Sequence, residues 1–549
     1  MTDPKTILLT LAAILLLAVF LTRQSDGLKT IPGPKGLPLI GNTHQLGKYP
    51  HRKYLEWSAQ YGELFKVQMG LQNWVFLNTP EAVRDILDRQ SAATSGRPVH
   101  AQSECLDPLQ LGVNSICNGP TDFFFATAIS TPRWRKLRAM VHKLLTPKAS
   151  EVFKPSQEFE TKQLLFDILT KNEDQESFYQ HVRRYTTSIV MTSTYGRRVP
   201  VWDCEDVREI YGLMKEFSES ASPGAYIAEL IPWLANLPVY LQWWRGSALK
   251  LYARQRDIWM KYWNTLQSQA DAGRAPECFG KQFRESDFQK QGISDEQAAF
   301  VAGTMIEAGS ETTSSALNSA IKYLIRFPDA QVLARKELAS QVGDNRVPSF
   351  GDEDALPYIR AMVKEVLRIR PVTTIGSPHY TTADITYKNY VIPKDTVVTL
   401  CQYTIHYDAK RWESPEDFIP SRYLGHPLKA GAYAASGDAE GRDHFDFGAG
   451  RRICPGMHLA ENSLFITLAS ILWLFEIKAP LDADGNEEFV DISDAAYEDG
   501  ANTLPKQYRA RFVPVNEQRA QTLLQTWDQA RLAGFTLGNV HVNEDGVIL

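Results

Sequence analysis

The sequence predicts a single large domain that is mainly helical, with small β-sheets. Three observations predict it. Helical patterning dominates, and its clearest stretch starts at the capping box Ser294-Asp295-Glu296-Gln297 and runs to about Arg326, where Phe327-Pro328 stops it. Runs with strand character are short: 63–78, 384–400 and 508–514. No Gly/Ser linker, repeat or low-complexity tract divides residues 40–514, so 549 residues read as one unit and not as several domains. With 44 % hydrophobic and 22 % charged residues the composition is ordinary for a globular chain. A net charge of −5 gives no reason to expect nucleic acid. Six cysteines, scattered without framework spacing, fit a reducing compartment.

Taken in order, the chain opens on an apolar run. Ile7 to Leu21 is broken only by Thr10 and flanked by Lys5 and Arg23. It is short for a bilayer core, but Thr22 and snorkelling of the flanking cations extend it. A cleaved signal peptide is the rival reading. No small-x-small site follows, and the cysteine pattern is not secretory, so residues 1–29 are expected to form an uncleaved anchor. Arg23, Lys29 and Lys35 outnumber Lys5, which puts the body on the cytoplasmic side. Ile31-Pro32-Gly33-Pro34-Lys35-Gly36-Leu37-Pro38 is stiff and extended. Further helices are expected near 132–145, 157–171, 205–220, 247–270, 330–341 and 357–369, and one after Met457. The tail, 515–549, holds one amphipathic stretch and no assigned role.

The chemistry centres on Phe447-Gly448-Ala449-Gly450-Arg451-Arg452-Ile453-Cys454-Pro455-Gly456. Three glycines and a proline exclude regular structure and allow close backbone approach to one cysteine. Arg451 and Arg452, together with the amino end of the following helix, are expected to lower the Cys454 thiol pKa. A thiolate so held is a candidate fifth ligand for haem iron. The rival readings are a buried structural cysteine or a zinc ligand paired with His458, and zinc lacks a second ligand pair nearby. In the long helix, Ala308-Gly309-Ser310-Glu311-Thr312-Thr313 combines a weak spot at Gly309 with alcohols able to divert backbone hydrogen bonds. An acid followed by an alcohol is what proton delivery beside an oxygen site requires. Helix packing by small residues is the rival reading.

These segments resemble the cytochrome P450 family. The haem signature Phe-x-x-Gly-x-Arg-x-Cys-x-Gly is complete at Phe447, Gly450, Arg452, Cys454 and Gly456, and Ala308 to Thr313 matches the family's oxygen-site pattern without departure. The resemblance covers roughly residues 30–514 and implies the cytochrome P450 fold. It implies haem b on Cys454, Thr312 and Glu311 as proton relay, and Ala308 and Gly309 beside the haem. Trp134 and Arg138, one turn apart, match a Trp-x-x-x-Arg helix that reaches a propionate, with His379 and Arg452 as further contacts. Glu365 and Arg368 match the Glu-x-x-Arg pair, with Arg422 of Phe418-Ile419-Pro420-Ser421-Arg422-Tyr423 as its buried structural partner.

The implied protein is a microsomal, single-pass haem-thiolate monooxygenase of the endoplasmic-reticulum membrane. It would insert one oxygen atom from O₂ into a hydrophobic small molecule, by C–H hydroxylation or epoxidation, in the manner of fungal secondary-metabolism members. No flavin or NADPH domain follows residue 514. Electrons are therefore expected from NADPH through a separate cytochrome P450 reductase, with cytochrome b5 as a further donor. Arg133, Arg135, Lys136, Lys143 and Arg451 are the candidate basic docking face. The alternatives are oxidative coupling, desaturation or rearrangement on the same haem, and a non-catalytic haem carrier or sensor. Phe123-Phe124-Phe125 and the Trp-rich stretch from Ile227 to Trp244 are expected to line the substrate's path.

Overall fold

A computed structural model describes residues 26–546 except 39, 71, 98–131, 222–236, 244 and 499–501. The expected anchor at Ile7–Leu21, the Phe123–Phe125 loop and most of the Trp-rich stretch therefore lie outside the described residues. So does the side chain of Trp134. Numbering helices of seven residues or more, the chain runs through α1 (Pro50–Tyr61), α2 (Pro132–Leu144), α3 (Lys154–Lys171), α4 (Ser177–Tyr195), α5 (Glu205–Ala221) and α6 (Arg245–Asp271). It continues through α7 (Phe279–Glu285), α8 (Asp295–Arg326), α9 (Pro328–Gln341), α10 (Pro357–Ile369), α11 (Met457–Leu474) and α12 (Glu517–Ala533). The strands are β1 (Leu64–Met69), β2 (Gln72–Leu77), β3 (His379–Tyr380), β4 (Ile385–Tyr387), β5 (Tyr390–Ile392), β6 (Val397–Leu400), β7 (Phe475–Lys478), β8 (Arg511–Pro514), β9 (Phe535–Leu537) and β10 (Val540–Val542).

Helix α8 starts as expected: Ser294 Oγ accepts from Gln297 N at 3.2 Å while Ser294 N donates to Gln297 Oε1 at 2.8 Å. It ends before Pro328 and runs unbroken through Gly309. Ala316, Leu317, Ala320 and Ile321 of α8 are buried against α3, α4, α10 and α11 in the main core. Helix α11 is the one stretch among the described residues apolar and long enough to cross a membrane, but it is mostly buried inside this core. Its apolar surface is used for packing.

Helix α4 was not expected, because its Ser and Thr residues mask the apolar stripe. Those hydroxyls are satisfied internally: Thr186 Oγ1 donates to Ser310 O at 2.8 Å, and Ser188 Oγ to Glu160 Oε1 at 2.8 Å. Polar residues can thus fill a buried helix once each donor has an acceptor. The largest sheet has the order β1-β2-β6-β3, with β2 and β6 parallel and the other pairs antiparallel. It lies apart from the helical core and positions His379 at its edge strand.

The tail is built into the domain. Asn516 caps α12 by accepting from Arg519 N at 2.8 Å, and Arg519 Nη1 donates to Trp473 O of α11 at 2.6 Å. Trp527 packs edge-on against Phe159 of α3 with ring centroids 5.3 Å apart, beside Phe535 of the β9–β10 hairpin. Trp527→Ala is expected to cost about 3–5 kcal/mol. Urea unfolding should show one transition moved to lower denaturant. A second, separate transition would mean that the tail is an independent unit.

Candidate functional site

The cysteine loop is closed by Cys454 N donating to Phe447 O at 2.8 Å. Gly450 is demanded twice over. Its φ is +64°, and a Cβ there would lie 2.2 Å from Leu87 O. Its amide donates to Asp88 Oδ1 at 2.6 Å, which pins the loop to the segment before Gly96. Gly456 stands at the start of α11, and a Cβ on it would be 3.9 Å from Cys454 Sγ. The amides of Gly456 and Met457 are directed at that sulfur.

The electrostatics correct one expectation. Burial pushes the Cys454 thiol up, outweighing the lowering by the Gly456 amide and Arg138, while Asp446 raises it further. Arg451 is exposed. Arg452 donates from its Nε and Nη2 to Ser95 O at 3.0 and 2.8 Å. The cation that acts on the sulfur comes instead from α2. Arg138 Nη2 donates to Ile453 O, next to the cysteine.

Beside this loop lies a group of buried basic side chains. His379 Nδ1 pairs with Thr94 O at 2.8 Å, and Arg97 Nη1 donates to Pro378 O at 2.7 Å and Ser377 O at 2.9 Å. Burial, then repulsion from Arg138, brings Arg97 down to about 9. Burial, then Arg97 and Arg138, brings Arg452 down to about 8. His379 is pushed well down by burial and by Arg97. Positive groups gathered this way fit an anionic ligand, since carboxylates among them would relieve both burial and mutual repulsion. A soft sulfur donor with amides aimed at it, and three arginines with a neutral imidazole suited to two propionates, together fit an iron porphyrin. The zinc reading has no such support, because no cluster of three metal-ligating side chains exists among the described residues. Sequence reasoning found Arg138, His379 and Arg452 but missed Arg97. Its role follows from the Gly96–Tyr380 bridge that sets it against β3, a long-range pairing with no local signal.

In the middle of α8, Thr312 Oγ1 donates to Ala308 O at 2.6 Å, as expected of an alcohol diverting the helix's own bonds. Glu311 accepts from Arg183 Nη2 of α4 at 3.4 Å. Burial holds its carboxyl above the ordinary range, opposed by Arg183 and by a hydrogen bond with Asn502. Ala308 is exposed and Thr312 half-buried, on the open side of the helix. Gly309 has another cause than the one expected. A Cβ there would lie 2.7 Å from Val190 Cγ2, so its small size is required by packing against α4.

The brace on the cysteine side is as expected. Glu365 and Arg368 are fully buried on α10, paired through Arg368 Nε to Glu365 Oε2 at 2.7 Å and Nη2 to Oε1 at 2.8 Å. Arg422 Nε donates to Glu365 Oε1 at 3.1 Å. Arg368 also donates to His406 O and Pro415 O, both at 2.9 Å, and so fixes the chain that leads to the cysteine loop.

The family model described as "Cytochrome P450" matches residues 31–491. Relatives include the cytochrome P450 monooxygenase pgmC of Aspergillus terreus, 40 % identical over 99 % of this chain and 97 % of the relative. The cytochrome P450 monooxygenase verL of Clonostachys rogersoniana is 38 % identical over 96 % of this chain and 95 % of its own. The cytochrome P450 monooxygenase macC of Penicillium terrestre is 34 % identical over 95 % and 97 %.

Proposed function

The chain belongs to the cytochrome P450 family, and from that premise we propose the division of labour among its residues. It is a haem-thiolate monooxygenase. When bound, the thiolate-ligated haem supplies reductive activation of O₂. Cys454 Sγ would hold the iron, and the Gly456 and Met457 amides would orient the sulfur and stabilise its charge. Arg97, Arg138, His379 and Arg452 would hold the two propionates. Phe447 shapes the loop by accepting the Cys454 amide.

The protons come through α8. Glu311 is the acid of the Glu311–Thr312 pair, its carboxyl raised by burial and opposed by Arg183. Thr312 Oγ1 gives up its bond to Ala308 O, donates into the cavity, and takes a replacement proton from Glu311. The observation that carries this reading is the gathering of Cys454, its two amides, the arginines Arg97, Arg138 and Arg452, and the neutral His379 at one place. Reduction under carbon monoxide tests it. A strongly red-shifted Soret band is expected, and an unshifted band would overturn the thiolate assignment.

Thr312→Ala is expected to keep that band and still consume NADPH. Product per NADPH should fall roughly tenfold, with peroxide making up the difference. Unchanged coupling would remove Thr312 from the relay.

Electrons reach the haem from an NADPH-dependent reductase that docks on the cysteine side, where Arg135, Lys136, Lys143 and Arg451 are exposed. The apolar run Ile7–Leu21 anchors the protein in the endoplasmic-reticulum membrane. Exposed Tyr240 and Trp243 suit an interface with lipid, and a lipid-soluble substrate. The fungal monooxygenases among its relatives support a biosynthetic oxidation of a hydrophobic secondary metabolite.

A further inference from the structure

Asp446 sits directly before Phe447, the residue whose carbonyl closes the cysteine loop. Its Oδ1 accepts from Val372 N at 2.9 Å. Val372 lies near the start of a segment that leads from the end of α10 to β3. That segment passes Ser377 and Pro378, whose carbonyls receive Arg97, and ends at His379. Residues 371–379 therefore meet the sulfur's loop at one end and the basic side chains suited to the propionates at the other. Gln402 adds a second rung at the first end. Its Nε2 donates to Thr373 Oγ1 at 3.2 Å and to Asp446 O at 3.5 Å.

The same segment is tied to the oxygen-side helix. Thr503 N donates to Val372 O at 2.7 Å, and Thr503 Oγ1 to Pro371 O at 2.7 Å. Thr503 O in turn accepts from Ser315 Oγ at 2.7 Å, and Ser315 lies on α8 three residues after Thr312. Val372, Thr503 and Ser315 are all buried, where a hydrogen bond is stronger than in water. Stability does not account for an acid in this chain of bonds. No cation pairs with the Asp446 carboxyl among the described residues, and burial pushes it up to about 7, opposed by the Val372 amide alone. A carboxyl in that setting costs free energy. What it supplies is an acceptor that reaches from the cysteine loop to the segment.

We propose that Asp446 is a positioning residue for the haem pocket: through Val372 and Thr503 it fixes residues 371–379 as a strap joining the cysteine loop, α8 and the basic side chains around His379. The inference rests on the reading of Cys454 as the iron's ligand. Asp446 touches no reacting atom. It acts through Val372, and the strap it pegs closes the space that the porphyrin would occupy.

Asp446→Ala and Asp446→Asn in the haem-loaded full chain separate this role from the charge, since asparagine keeps the acceptor and loses only the charge. Transfer of haem to excess apomyoglobin should be about tenfold faster in Asp446→Ala, and within about twofold of the parent in Asp446→Asn. Amide hydrogen exchange, measured well below the unfolding transition, should rise at residues 371–376 and 503 in Asp446→Ala and stay at the parent level in α9. A bond that merely stabilises the fold would lower the urea midpoint and leave both readouts unmoved. Thr503→Val should release haem about threefold faster, and adding it to Asp446→Ala should change the rate little, because a strap cut at one end loses little more at the second. Parent-like haem release in Asp446→Ala would overturn the proposal. So would release from Asp446→Asn as fast as from Asp446→Ala, which assigns the effect to charge, or multiplied effects in the double variant, which make the two contacts independent. Where Asp446→Ala yields no haem-loaded protein, Thr503→Val carries the test, and parent-like release and exchange in it overturn the strap. A parent protein without the red-shifted Soret band would sink the Cys454 reading and the strap together, whereas a normal band beside parent-like release in Asp446→Ala removes the strap alone.

Discussion

Cys454→Ser is expected to yield a folded protein with no red-shifted Soret band in the reduced, carbon monoxide-treated state and no detectable product. Serine is close to isosteric, and the loop is held by groups other than the sulfur. Cys454 N bonds to Phe447 O, Gly450 N to Asp88, and Arg138 to Ile453 O. The thermal midpoint of the polypeptide should therefore move little. What changes is the donor. Burial already raises the thiol, and the Gly456 and Met457 amides with Arg138 offset that only in part. A serine hydroxyl starts several units higher and stays neutral in the same setting, so it cannot supply anionic electron density to iron. Retained turnover with an intact Soret shift would show that the ligand lies elsewhere.

The burial effect also shows where sequence reading reached and where it stopped. Glycines in the loop, the capping box at Ser294 and the Glu365–Arg368 spacing are local signals whose physical cause sits within a few residues. They were legible for that reason. The sign of the Cys454 shift was not, because it depends on the depth at which folding places the sulfur. Nor was Arg452's turn toward Ser95, since two adjacent arginines give no hint of which faces inward. Arg97 was missed for a related reason. It is a lone charged residue whose meaning is set by a partner far along the chain, the Ser377-Pro378 segment just before β3. The small size of Gly309 invited a reading as space beside a cofactor, whereas Val190 occupies that space. Helix α4 escaped notice because hydrogen bonds to Glu160 and Ser310, invisible in sequence, are what make its Ser/Thr face fit for burial.

Glu365→Ala should be the most destabilising single change away from the cysteine. The carboxylate accepts four hydrogen bonds, two from Arg368, one from Arg422 and one from the Ile419 amide at 2.8 Å. Its removal leaves the Arg368 guanidinium at full burial with only carbonyl oxygens for company. An uncompensated buried charge of this kind costs about 3–5 kcal/mol, a large part of a domain's stability. The effect should reach function through structure. Arg368 ties α10 to His406 O and Pro415 O, and the His406 ring accepts the Phe445 amide at 2.9 Å, two residues before Phe447. Loosening that chain frees the segment that presents the thiolate. Expression of Glu365→Ala should give little haem-loaded protein, and what remains should unfold at markedly lower urea. Arg422→Ala supplies the internal comparison. Arg422 is at the edge of the network and shares its other bonds with the carbonyls of Glu413, Ser414 and Asp417. Its loss leaves Glu365 still paired with Arg368, and should cost about 1–2 kcal/mol. If Arg422→Ala proved as damaging as Glu365→Ala, the stability of this corner would lie in the triad as a whole and not in the neutralisation of Arg368.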